Sequence, residues 1–163
     1  MGSDRTAEIR EAETGVNELP LKQYDVAISS DDRFLATSSN DHSAKIRNAE
    51  TGKEFLALWG HEKVVSRAAF FHDERRVITG SYDGTAKIRD AGTGEELVAL
   101  KAQAGIVVSV VFSMDGRGVL TVGHDHTVNF WDAVDWSLIK EEYPEHQRQC
   151  YEEWLKANVS YHE

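Results

Sequence analysis

Asp41-His-Ser-Ala-Lys-Ile-Arg-Asn-Ala-Glu-Thr-Gly52 returns as Asp83-Gly-Thr-Ala-Lys-Ile-Arg-Asp-Ala-Gly-Thr-Gly94. A third copy reads Asp125-His-Thr-Val-Asn-Phe-Trp-Asp-Ala133. From 41 to 83 and from 83 to 125 the period is 42 residues. A fourth, partial copy stands in front, Asp4-Arg-Thr-Ala-Glu-Ile-Arg-Glu-Ala-Glu-Thr-Gly15, only 37 residues ahead of the next. A period of this length marks a stacked architecture whose unit is one supersecondary element.

Working outward from the second copy, four short runs fill the period. Val64 to Phe71 is apolar and stops at the turn His72-Asp73-Glu74. Arg76 to Ser81 is closed by Tyr82-Asp83-Gly84, whose Asp-Gly pair tolerates the positive φ of a tight hairpin. Thr85 to Arg89 alternates, Thr93-Gly94 turns the chain, and Glu96 to Leu100 is the fourth run. Four strands in 42 residues leave no room for crossover helices, so the sheet is an antiparallel meander. Ala86 and Ile88 point to one face, and Lys87 and Arg89 to the other. Such a unit cannot bury its surfaces alone and must stack on copies of itself. Radial stacking, as in a propeller, is the common solution.

With Gly60-His61, Gly80-Ser81-Tyr82-Asp83, Ser113-Met114-Asp115-Gly116 and Trp131-Asp132, the chain resembles the WD40 repeat family over roughly residues 4–141. The resemblance implies an all-β fold of four-stranded antiparallel propeller blades and a non-catalytic protein-interaction scaffold. It also implies a buried hydrogen-bonded chain in each blade, carried here by Ser39, Asp41, Arg47, His61, Ser81, Asp83, Arg89, Asp125 and Trp131. The chain departs from the pattern in two ways. Gln103 holds the His position of the last copy, and the strand-c Trp is Arg10, Arg47 and Arg89 in three copies. These degenerate repeats resemble bacterial WD40 chains that accompany signalling proteins. A guanidinium brings five donors and a charge where indole brings one N–H. The expectation is that Arg47 pairs with Asp41, and Arg89 with Asp83.

The predicted organisation is a WD40 region over 1–141, with a half blade at 4–19 and blades at 24–58, 64–100 and 106–141. A C-terminal helical tail follows over 142–163. Pro144 opens that short helix, and Cys150, Tyr151, Trp154 and Leu155 share one face. About three and a half blades make an incomplete ring, since closed propellers have four to eight. Three explanations stay open: an excerpt of a longer propeller, two chains joined in one ring, or an open arc patched by the front hairpin and the tail.

Composition narrows the partners. The net charge is −10, which repels phosphate backbones and anionic membranes, so neither nucleic acid nor a membrane is expected. Hydrophobic residues are 40% and charged residues 28%, as in a globular protein. One cysteine, Cys150, allows no internal disulfide and fits a reducing compartment. No apolar run of membrane-spanning length and no secretory leader is read, so a cytoplasmic location is expected.

His124-Asp125-His126 invites a metal, but it aligns with the hairpin turn at Asp83 and lacks a third ligand at suitable spacing. Ser39 and Ser81 lie near aspartates, and Ser81 near His61, in a pattern the repeat explains structurally. No catalytic residue, metal or cofactor is therefore assigned. Partner-binding positions follow from the resemblance, which implies a top face formed by two residues of strand a and the one before the turn Asp. These are Lys22, Tyr24 and Asn40; Val64, Ser66 and Tyr82; and Ile106, Val108 and His124. The partners expected are other proteins or peptides, together with self-association through open blade edges. The alternatives are a ligand-binding or enzymatic propeller and a truncated remnant without independent function.

Overall fold

The computed structural model describes residues 6–10, 17–22, 25–102, 105–113 and 118–132. Side chains are described from residue 25 onward. The described residues form four antiparallel sheets. The front hairpin joins β1 (Thr6–Arg10) to β2 (Asn17–Lys22). The first four-stranded blade is β3 (Asp25–Ile28), β4 (Phe34–Ser38), β5 (Ala44–Asn48) and β6 (Glu54–Leu58). The second is β7 (Val65–Phe70), β8 (Arg76–Ser81), β9 (Thr85–Asp90) and β10 (Glu96–Lys101). The third shows β11 (Val107–Phe112), β12 (Gly118–Gly123) and β13 (Val128–Asp132). Each is a meander with neighbours in chain order.

The turns explain why. His42, Gly84 and His126 sit at φ of 70°, 86° and 68°, one per second hairpin and 42 residues apart. The aspartate before each turn braces it: Asp41, Asp83 and Asp125 each accept the backbone N–H two residues on, at 2.8–3.0 Å. This side-chain brace lets two histidines hold a left-handed conformation that glycine adopts freely.

The blades stack face to face. Phe34, Ala36, Ala44, Ile46 and Leu58 of the first pack against Val65, Ala68 and Val77 of the second. Ile78, Ala86 and Ile88 of the second pack against Val107, Val110 and Val119 of the third. Each fully buried Ile or Val contributes roughly 1.5–3 kcal/mol. Polar ties run beside this packing. Arg67 donates to Asp25 Oδ1 across one interface at 2.7 Å and to the Val108 carbonyl across the other at 3.3 Å. Ser66 Oγ lies 2.6 Å from the Val107 carbonyl.

Two expectations need correction or restriction. Lys22 does not open the first strand of a blade; it closes β2, paired with Thr6, because the ladder of the front hairpin runs on to it. The expected short C-terminal helix, with Cys150, Tyr151, Trp154 and Leu155, lies outside the described residues, as do Tyr24, Gln103 and the last strand expected before residue 141. No helix among the described residues is long and apolar enough to cross a membrane.

Candidate functional site

One end of the described blades carries the second hairpins, with Asn40, Tyr82 and His124, beside the strand starts at Val64 and Ile106. The Tyr82 N–H donates to the Val64 carbonyl, and that of His124 to the Ile106 carbonyl, each at 2.9 Å. The start of each inner strand is thereby fixed beside the second hairpin. Asn40, Tyr82 and His124 are exposed there; Val64, Ile106 and Val108 are half-buried. Ser66 is also half-buried, but its hydroxyl is spent on the Val107 and Gly80 carbonyls. Sequence reasoning missed Trp59, which directly follows β6, leads into the same loops and is 57% exposed. Its place directly before Gly60-His61, at a loop start where the next repeat has Lys101, was the available signal.

Beneath Tyr82 lies a buried network. His61 Nδ1 is 2.9 Å from Asp83 Oδ2, and Nε2 is 2.9 Å from Thr79 Oγ1. An ionised carboxylate only accepts, so Nδ1 carries the proton and the Thr79 hydroxyl donates to Nε2. Asp83 also accepts the Thr85 hydroxyl at 2.6 Å, the Thr85 N–H at 2.8 Å and the Glu62 N–H at 3.0 Å. Burial alone would raise the Asp83 carboxyl. The bonds from Thr85, His61 and the two backbone N–H groups outweigh it and hold the pKa at about 2. Burial pushes His61 below its ordinary value against the pull of Asp83, so the ring is neutral at pH 7.

The strand-b hydroxyl in this network is therefore Thr79, not Ser81. The two share a face by the two-residue period of β8, but Ser81 sits at the strand end. Its hydroxyl is 3.0 Å from the Val64 carbonyl and 3.2 Å from that of Lys63. It also accepts the Asp83 N–H at 3.1 Å. In the next blade, Trp131 Nε1 donates to Thr121, the counterpart of Thr79, at 3.0 Å. Asp41 and Asp125 bond the hydroxyls of Ser43 and Thr127 across their own turns. Ser39 Oγ accepts the Asp41 N–H, and the Ser39 carbonyl accepts the Val65 N–H of the next blade.

The arginines pair elsewhere than expected. Arg89 donates to Glu96 at 3.1 Å and to the Gly94 carbonyl, rather than to Asp83. Arg47 lies 3.5 Å from Glu54 and donates to the Gly52 carbonyl, rather than pairing with Asp41. Six residues of extended strand separate each arginine from its turn aspartate, about 20 Å. Glu96 and Glu54 stand directly opposite on the neighbouring strand. Lys87 and Lys45 join the same glutamates at 2.8 and 3.3 Å. The signal was legible: Lys45, Arg47 and Glu54 repeat as Lys87, Arg89 and Glu96, and 42 residues on become Asn129, Trp131 and Leu138. Where the Trp returns, the Glu is gone. The pair Arg89→Trp and Glu96→Leu should therefore melt closer to the parent than either single variant does. Glu96→Leu alone, which leaves Arg89 buried beside Lys87 without a counter-charge, is expected to lose about 2–3 kcal/mol. Strict additivity of the two losses in thermal melts would refute this coupling.

His124, Asp125 and His126 stand exposed on a turn, and no group of three or more His, Cys, Asp or Glu placed to hold a metal occurs among the described residues. The family model for the WD domain, G-beta repeat, matches residues 21–48, 52–90 and 94–132, well over half of the chain. The chain belongs to the WD40 repeat family. No match is found among curated proteins. The matched segments are one strand out of phase with the sheets: 52–90 takes in β6 to β9, and 94–132 takes in β10 to β13. The repeats matched at 52–90 and 94–132 thus each begin with the last strand of the preceding blade.

Proposed function

We propose that this WD40 chain is a non-catalytic scaffold that binds proteins or peptides with the end of the blades carrying Trp59, Val64, Tyr82, Ile106 and His124. The observation that carries the reading is Tyr82. The residue stands 38% exposed, while its flanks are locked by the Ser81 and Asp83 bonds described above. A large amphipathic side chain on a rigid turn contributes contact area at small entropic cost, as interface anchors do. The acidic net charge of −10 disfavours nucleic acid and anionic membranes as partners. A single cysteine, Cys150, fits a reducing compartment, and we propose a cytoplasmic location on that ground.

Tyr82→Ala is the test. It is expected to weaken partner capture from cell extract by about tenfold or more, with the melting temperature unchanged. Unchanged capture with a lowered melting temperature would make Tyr82 a structural residue and remove the main support for this face.

A further inference from the structure

The two internal interfaces show what a blade face looks like when covered, and the trailing end of the arc and β3 at its leading end fail that standard. On the trailing face of the third blade, Val128 is 59% and Phe130 63% exposed. Their counterparts 42 residues earlier, Ala86 and Ile88, are 0% exposed, buried by the following blade. The counterparts in the first blade, Ala44 and Ile46, are likewise buried. Val111 on the same open face is exposed as well. At the leading end, Val26 of β3 is 37% exposed, whereas its counterparts Ala68 and Val110 are each 4%. Ile28 beside it is 55% exposed. Among the described residues the front hairpin of β1 and β2 is a sheet of two strands, and no equivalent of the inner strands that cover Ala68 and Val110 stands before β3.

The open ends are the complementary halves of one interface. The trailing face repeats the surface that receives a blade, and β3 repeats the inner strand that is received. We propose that a second copy of this chain docks head to tail, with the β3 face of one copy against the β11–β13 sheet of the other. The contact continues the packing already made twice within the chain, and its two sides are different surfaces, as in a heterologous assembly. Because the contact is apolar and both copies carry a net charge of −10, association strengthens as salt screens the repulsion between them.

Sedimentation velocity on the full chain over a wide range of concentration tests this. The expected result is a mass rising from 18.3 kDa to at least twice that. Phe130→Glu and Ile28→Glu, each at an exposed site, are expected to weaken association on the order of thirtyfold while keeping the far-ultraviolet dichroism and melting of the parent. Val128→Lys and Val26→Lys replace them if either fails to fold. A mixture of one trailing-face variant with one leading-face variant keeps one intact interface, so it should restore a complex that stops at two chains. A chain that stays monomeric throughout would overturn the proposal. Loss of association in the trailing-face variant alone, without rescue on mixing, would overturn the head-to-tail arrangement.

Discussion

Replacing Gly80 with valine is expected to cost about 3 kcal/mol or more and to lower the melting temperature by roughly 10 °C. Gly80 lies on the trailing face of the second blade, where the third blade comes closest. A Cβ built there falls 2.8 Å from Val110 Cγ1 and 2.9 Å from Val107 Cγ1. Neither neighbour can retreat, since Val107 and Val110 are themselves buried. The preceding interface solves the same contact differently: Ser38 takes the place of Gly80, and Ala68 that of Val110. The small residue has moved to the other side. Gly80→Ser should therefore lose about 1–3 kcal/mol alone, and adding Val110→Ala should recover part of it. A double variant less stable than both singles would show that the two interfaces are not equivalent. Thermal and urea melts read all of these.

Asp83→Ala carries the second large effect, an expected loss of about 3–5 kcal/mol. One carboxylate satisfies the Thr85 hydroxyl, two backbone N–H groups and the His61 ring. Removing it leaves these donors without their acceptor around a buried imidazole. Asp83→Asn keeps one accepting oxygen and should lose less. The pH dependence has two stages with the same sign. The folded chain holds the Asp83 carboxyl at about 2 against an ordinary 3.8. Its contribution, on the order of 2 kcal/mol, is complete above about pH 4 and disappears as the pH falls towards 2. His61 is depressed below 6.5, so the unfolded chain takes up this proton first, and stability begins to fall below about pH 6.5. The parent should lose melting temperature through both stages on acidification, and Asp83→Ala should lack the lower one. A flat profile between pH 7 and 3 would contradict the network.

The two predictions concern different levels of the structure, and they divide what was legible in the sequence from what was not. Within one period, the left-handed turn positions at 42, 84 and 126 and the braces at Asp41, Asp83 and Asp125 are local. They could be read as hairpins because backbone sterics and short-range bonds act over a few residues. The exposed turn of Tyr82 was legible for the same reason. The partners of Arg47 and Arg89 and the Thr79 partner of His61 were not, because they lie across strands. Register shifts at Ile46/Arg47 and Glu96/Val98 bring each arginine opposite a glutamate. The repeated Lys-Arg-Glu set carried that information, but only to a reader who already knew which strands are neighbours.

By itself, the 42-residue repeat determined that this chain forms antiparallel four-stranded units with an apolar side that must meet another unit, because strand period and turn chemistry are properties of short segments. The tertiary structure alone decided that Thr79 rather than Ser81 meets His61, that Gly80 must lack a side chain, and that Ala86 is covered while Val128 is not. Those outcomes depend on which atoms from distant residues arrive at the same place, and a small residue on one face has meaning only against the size of the one it faces.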